Sequence, residues 1–258
     1  MTAPTDKPRR RVVRYQPSLI SYLDILGFKG LVAEKEAGEI SRILRIVKEI
    51  VTPGRRVSDL LNFRVQHFSD LAVRVLPVTR SEGAGDMFFE LLSLVHVQKS
   101  LTENGIFVRG GITFGDIVRS WGLLYGPGLI RAYDLEQKAV YPRILVDDDL
   151  LTALRRKRIL RHPDHDYKTE MEYIRKLIRK DSDGNYFVDY LRAIESEFDY
   201  PEAGYPTFLD AHRGHIVAGL DKFRLNKHIL AKYKWLKAYH NSTVDKRFST
   251  SLSRKFVI

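Results

Sequence analysis

Cysteine is absent from the 258 residues. Disulfides, thiolate nucleophiles and cysteine-bound zinc are excluded together, so any metal must be held by oxygen or imidazole, and hard divalent ions are favoured. No apolar run approaches the roughly 20 residues a membrane helix needs, and residues 1–11 are polar and basic with no apolar signal region behind them. A soluble cytoplasmic chain is expected, with no membrane partner. Acid is in deficit: 32 Asp and Glu against 43 Lys and Arg leave a net charge of +11. That charge attracts polyanions from nucleic acid to a triphosphate without choosing between them. The basic excess is dispersed over 7–14, 155–161, 175–180 and 222–237, a pattern of solvated faces that argues against nucleic acid as the main partner. There is no internal repeat and no low-complexity tract, and the 44% hydrophobic content is ample for a core.

What is present reads as a succession of strands and helices. Residues 18–25 form a buried strand, and Gly27 and Gly30 bracket a turn into a helix with Ile40, Ile43, Leu44, Val47, Ile50 and Val51 on one face, stopped by Thr52-Pro53-Gly54. Strands follow at about 61–68 and 71–78 with Ser69-Asp70 between them at hairpin length, and 81–85 breaks the pattern. Asp86 caps a helix to about Thr102, ended by Asn104-Gly105. Runs 106–114 and 117–125, joined at Gly115-Asp116, precede a helix from Pro127 to about Lys138 and a short strand at 143–146. Beyond a soft boundary near 150 come charged helical stretches, a turn at 181–185, a strand at 186–191 and an amphipathic helix over about 209–240. Near that helix, His215 and His228 are expected to pack in the core. The order indicates an α+β fold, a ferredoxin-like βαββαβ core over 1–150 with helices on one sheet face, and a C-terminal helical extension over 151–258 whose 186–191 strand is free to rejoin the main sheet.

Two aspartates end apolar strand-like runs: Asp24 in Tyr22-Leu23-Asp24-Ile25-Leu26-Gly27-Phe28 and Asp70 in Phe68-Ser69-Asp70. Desolvating a carboxylate costs several kcal/mol unless a cation or donor compensates it, so the pair suggests a shared metal. The backbone N–H groups of Gly27, Phe28 and Lys29, at the start of the following helix, are placed to hold phosphates. By strand alternation Arg64, Gln66 and Phe68 share a face.

With Val108-Arg109-Gly110-Gly111-Ile112-Thr113-Phe114-Gly115 and Tyr125-Gly126-Pro127-Gly128 in the same order, these motifs resemble those of class III nucleotidyl cyclases, and within them the bacterial pyrimidine cyclases of the Pycsar antiphage system. Lys232-Tyr233-Lys234-Trp235-Leu236 resembles the C-terminal helix of that branch. The resemblance covers 18–146 well and the rest loosely. It implies a lyase that converts UTP, or else CTP, to the 3′,5′-cyclic monophosphate and pyrophosphate. The cyclic product would signal infection to a separate effector that is not in direct contact. The metals implied are two Mn²⁺ or Mg²⁺ ions on Asp24, Asp70 and the Ile25 carbonyl. Arg64 and Gln66 would contact the substrate, Gln66 standing at the base-choosing position, where glutamine's donor and acceptor suit uracil and cytosine alike. The site would form between two copies in a homodimer. The family's helical asparagine and arginine align with Ile130 and Asp134, which leaves Arg131 as the transition-state arginine, with Arg109 as the other source. An inactive cyclase-like module that binds nucleotide or RNA is the rival reading.

Overall fold

The computed structural model describes residues 13–78, 85–248 and 255–258. The break at 81–84 and the polar start at 1–11 lie outside these residues.

Alternation along β1 (Gln16–Ile25) sends Leu19, Leu23 and Ile25 to one side and Ile20 and Asp24 to the other. Gly27, at φ 74°, then turns the chain into α1 (Phe28–Glu34), and α2 (Ala37–Val51) lays Val47 and Val51 in the core. A short helix, α3 (Arg55–Leu61), occupies the beginning of the segment expected as strand; its end at Asn62, in left-handed conformation, delays β2 to Arg64–Phe68. The two-residue turn Ser69-Asp70 leads into β3 (Leu71–Pro77), and α4 (Asp86–Glu103) follows with Gly85 rather than Asp86 at its N-cap.

The next strand departs from expectation. Residues 106–125 do not fold back at Gly115-Asp116: β4 runs unbroken over Val108–Ser120 and reverses at Trp121-Gly122, with φ 51° and 77°, into β5 (Leu123–Tyr125). Both turn residues are left-handed, the signature of a type I′ hairpin. Gly115 serves close packing instead of a turn, since a Cβ there would lie 2.8 Å from Gly128 Cα in α5 (Pro127–Ala139).

The chain continues through β6 (Ile144–Val146), α6 (Asp148–Arg156), α7 (Tyr167–Leu177), β7 (Ile178–Lys180), β8 (Tyr186–Val188) and α8 (Tyr190–Ala193). The strand expected over 186–191 is thus cut short at Val188, where the chain turns into α8. Two helices close the chain, α9 (Pro201–Lys222) and α10 (Lys227–Arg247), where one was expected. The break comes at Asn226, whose side chain accepts a hydrogen bond from Ile229 N–H and restarts the helix as an N-cap.

Among the described residues the strands make one sheet in the order β2-β3-β1-β4-β6-β8-β7, with β5 paired to β4. Its first four strands, β2-β3-β1-β4, run antiparallel to one another in ferredoxin-like order, and β6 then joins β4 in parallel. Helices cover both faces, not one. α2 and α4 pack with Leu19, Leu23 and Ile25, whereas α5 sits opposite, Ala132 meeting Ile20 and Ile117. The glycines of β4 allow that second layer to approach. The main core also takes in Phe187 of β8 and Tyr239 of α10, so the C-terminal helices share the apolar interior of the sheet.

The histidines of the last two helices are sorted differently from expectation. His228 is exposed, and the fully buried pair is His212 on α9 and His240 on α10. Tyr190 Oη lies 2.7 Å from His212 Nε2, the two Nδ1 atoms are 2.9 Å apart, and His240 Nε2 is 2.8 Å from the Phe256 carbonyl. One proton order satisfies all three contacts: His240 donates to the carbonyl, His212 donates to His240, and Tyr190 donates to His212. Burial pushes both imidazoles below their ordinary value, with neighbouring His240 and His215 adding to the effect at His212, and Arg213 at His240. In the folded state the histidines stay neutral while the unfolded chain takes up protons near pH 6.5, so this stability is complete above that pH and is lost as pH falls. The melting temperature is expected to drop between pH 7 and pH 5, at up to about 1.4 kcal/mol per pH unit for each histidine. Thermal melts of the wild type and of His240→Gln check this, the variant giving the flatter profile.

Candidate active site

β1 and β3 are paired in a register that sets Asp24 opposite Leu71, and Ile25 N–H donates to the Asp70 carbonyl at 3.2 Å. The hairpin turn carrying Asp70 is thereby tied to the end of β1 beside Asp24. Both side chains are half-buried. On its other side Asp24 pairs in register with Arg109 of β4, and Arg109 Nε lies 3.1 Å from Asp24 Oδ2.

The same guanidinium reaches α5. Its Nε is 2.6 Å from Glu136 Oε1, but off the N–H direction, so the contact is an ion pair without an aligned hydrogen bond and Oε1 stays buried and unsatisfied. Arg109 therefore stands between two carboxylates, one from the strand and one from the helix. Burial raises the Asp24 carboxyl above its usual range, Arg109 pulls it back, and the neighbouring Asp70 raises it again. Glu136 is likewise raised by burial and lowered by Arg109. A fourth charge arrives from α10: Lys232, its ammonium pushed down by burial and by Arg109 and pulled up by Asp24 and Glu136. The residues around it fix it there. Tyr233 meets Phe107 edge to face at 6.0 Å, Trp235 stacks on Tyr141 at 5.7 Å, and the Trp235 indole N–H donates to Asp181 at 2.9 Å.

Asp24 and Asp70 bring together hard oxygen donors of like charge, which fits a divalent ion of the Mg²⁺ or Mn²⁺ kind: such ions keep several waters and bind through one or two carboxylates together with substrate phosphates. Among the described residues no group of three or more His, Asp or Glu side chains is arranged to hold a metal. The intrahelical bonds of α1 begin at Gly30 N–H, which leaves the Phe28 and Lys29 N–H groups ahead of them at the Gly27 turn.

Of the remaining sequence-derived residues, Gln66 stands opposite Val73, which is itself opposite Tyr22, two positions before Asp24. Arg64 and Gln66 line a groove on the β2 side of the sheet, with Arg64 exposed and bonded to the Ser58 and Phe63 carbonyls. Arg131 is held by Asp147, the N-cap of α6, which also accepts from Thr113, and by Asp149 at 2.7 Å. In the single chain Arg131 belongs to this carboxylate cluster, and the arginine at Asp24 is Arg109. Sequence reading named Arg109 only as a second choice and gave Glu136 and Lys232 no role at the site. The alternation of β4, which places Arg109 on the face of Gly111 and Thr113, was the available signal for the first of them.

No family model matches the chain, and no curated protein matches it. Partial overlaps exist with solved structures. The guanylyl cyclase Cya2 is 17% identical over 55% of this chain and 80% of that one, with a TM-score of 0.47. The adenylyl cyclase CyaB from P. aeruginosa is 15% identical over 69% and 96%, at 0.49. The monomeric guanylyl cyclase domain of the RhoGC fusion protein from the aquatic fungus Blastocladiella emersonii is 11% identical over 69% and 98%, at 0.46. With every TM-score below 0.5, these are likenesses of chain path that assign neither family nor activity.

Proposed function

We propose that the chain is a pyrimidine nucleotide cyclase that converts UTP to 3′,5′-cyclic UMP and pyrophosphate, with CTP as the second choice of substrate. The observation that carries the reading is the junction of Asp24 and Asp70, two half-buried carboxylates, one at the end of β1 and one in the β2–β3 turn, joined by the Ile25 to Asp70 backbone bond beside the Gly27 turn that opens α1. In the reaction a bond forms between the ribose 3′-oxygen and the α-phosphorus, the bond from that phosphorus to pyrophosphate breaks, and the hydroxyl proton leaves to solvent. Asp24 and Asp70, with the Ile25 carbonyl, hold two Mn²⁺ or Mg²⁺ ions. When bound, these supply positive charge to the attacking and leaving oxygens.

The chain's own groups do the rest. Backbone N–H groups of Gly27, Phe28 and Lys29 bind the β- and γ-phosphates, and Arg64 and Gln66 contact the base. Arg131 offsets charge in the transition state from the second copy of a homodimer, since in its own chain it lies with Asp147 rather than Asp24. Residues 1–150 form the catalytic core and 151–258 an extension that delivers Lys232 to its edge. Its cyclic product acts as an antiphage messenger for a separate effector. One observation favours the rival reading of an inactive nucleotide- or RNA-binding module: Arg131 and Arg109 are both engaged by carboxylates.

A mixing experiment tests the shared site. Asp70→Asn and Arg131→Ala are each expected to be inactive alone. Mixed in equal amounts and allowed to exchange subunits, they regain about a quarter of wild-type cyclic product, because half the dimers are mixed and each carries one intact site. Continued inactivity of the mixture, with exchange shown by mass, would refute the shared site.

A further inference from the structure

Arg109 is shared by two carboxylates on different elements, Asp24 of β1 and Glu136 of α5, and the two contacts differ in kind. Its Nε donates to Asp24 Oδ2 at 3.1 Å in an aligned hydrogen bond. Glu136 Oε1 is closer, at 2.6 Å, yet the N–H does not point at it. Burial separates the two further: the Asp24 side chain is 22% exposed and that of Glu136 only 2%. Gln137 Nε2 donates to Glu136 Oε2 at 2.6 Å, while Oε1 is buried with no hydrogen-bond partner among the described residues. A carboxylate oxygen in that condition is costly, whereas one at Asp24 that loses a donor is reached by water or by a cation. Turning the guanidinium from Asp24 toward Glu136 therefore gives the buried oxygen its donor and leaves the more exposed carboxylate free.

That exchange bears on the carboxylate pair. An arginine bonded to Asp24 takes one of its oxygens and sets a positive charge beside the other, and two cations on one carboxylate repel each other. Lys232 of α10 adds to the same field, where Arg109, Asp24 and Glu136 all act on it. Glu136 belongs neither to β1 nor to the Asp70 turn, so it can hold Arg109 without using an oxygen of the pair. Its helix, whose Ala132 meets Ile20 of β1, keeps it on the sheet face that carries Asp24.

We propose that Glu136 is a positioning residue that draws Arg109 off Asp24 and thereby sets the affinity of the Asp24–Asp70 pair for a divalent ion. The inference rests on the metal reading of that pair and names what tunes it. With glutamate at 136, Arg109 changes partner as an ion reaches Asp24; with glutamine there, Arg109 keeps Asp24 and competes with the ion. The engagement of Arg109 by carboxylates is then a partner exchange, not a blocked site. Titration of the full chain with Mn²⁺ alone, to millimolar concentration, tests this by the loss of the free-Mn²⁺ resonance signal. The chains compared are the wild type, Glu136→Gln, Glu136→Gln with Arg109→Gln, and Asp70→Asn, each checked by a thermal melt; the double variant removes both members of the pair, which spares the fold. Glu136→Gln is expected to bind Mn²⁺ about tenfold more weakly than the wild type, and the added Arg109→Gln to restore the affinity or exceed it. In the wild type the Arg109 Nε–H resonance is expected to shift during a Mg²⁺ titration, with the midpoint of ion binding. The proposal is overturned if Glu136→Gln binds Mn²⁺ as the wild type does, if the double variant stays as weak as Glu136→Gln, or if Mg²⁺ saturates without moving the Arg109 signal. Those results leave the metal reading standing. If the wild type binds no Mn²⁺, or Asp70→Asn binds it equally well, the metal reading falls and this inference with it.

Discussion

Asp70→Asn is expected to keep the fold and to lower UTP turnover by roughly a thousandfold or more, the several kcal/mol that metal charge contributes to such a transition state. The fold is spared because the structural work of residue 70 is done by its backbone: its carbonyl accepts from Ile25 N–H, and asparagine suits a two-residue turn as well as aspartate. What changes is one negative charge next to Asp24. With that charge removed, the Asp24 carboxyl loses the neighbour that raises it, and the site loses half its hard anionic donors. Turnover with Mn²⁺, read beside a thermal melt within about 0.5 kcal/mol of the wild type, checks both halves of the expectation. Full activity would remove the metal argument.

Glu90→Ala is expected to destabilise the protein by about 3–5 kcal/mol, the cost of leaving a buried cation without its partner. Arg74 is 1% and Glu90 3% exposed, so solvent does not screen the pair. Arg74 donates from Nε and Nη2 to the two carboxylate oxygens at 2.9 and 2.8 Å, to Ser93 at 2.7 Å and to the Val51 carbonyl, and it lies over the Phe63 ring. Glu90 also accepts from Ser21 at 2.8 Å. Ser21 and Arg74 are register partners between β1 and β3, so α4 fixes through Glu90 the pairing that sets Asp24 beside the turn of Asp70. A slip of one residue would send Asp24 to the opposite face of the sheet. Glu90→Ala should therefore lose activity at temperatures where it is still folded. Replacing both partners, Arg74→Met with Glu90→Leu, should recover much of the stability. Thermal melts of the two variants beside the wild type decide this: a loss under about 1 kcal/mol for Glu90→Ala would contradict it.

The parts of the fold legible in the sequence are those in which local pattern and tertiary role agree. Residues 71–77 are apolar but for the paired Arg74 and buried on both faces, and the helix from 86 ends at Asn104-Gly105 as its residues indicate. Misreadings occurred where a local signal served another purpose. Gly115-Asp116 has the composition of a turn, yet the glycine is needed for the approach of α5, and the turn falls on Trp121-Gly122, where a tryptophan is held in a conformation it seldom adopts. The 209–240 periodicity hid a helix boundary marked only by the cap at Asn226. At the site, the sequence shows two acids in need of compensation, but the compensation is long-range. Arg109 is 85 positions from Asp24, Glu136 arrives on α5, which covers the sheet face that carries Asp24, and Lys232 comes from α10. No periodicity within one element reports such contacts.

The most direct measurement is product identification. The purified chain is incubated with Mn²⁺ and each of ATP, GTP, CTP and UTP in turn, and the products are separated and weighed by mass spectrometry. The account predicts 3′,5′-cyclic UMP and pyrophosphate in equal amounts from UTP, less cyclic product from CTP, and none from either pyrimidine in Asp70→Asn. Cyclic AMP as the main product would contradict the pyrimidine assignment, and no cyclic product from any of the four would contradict the cyclase reading itself.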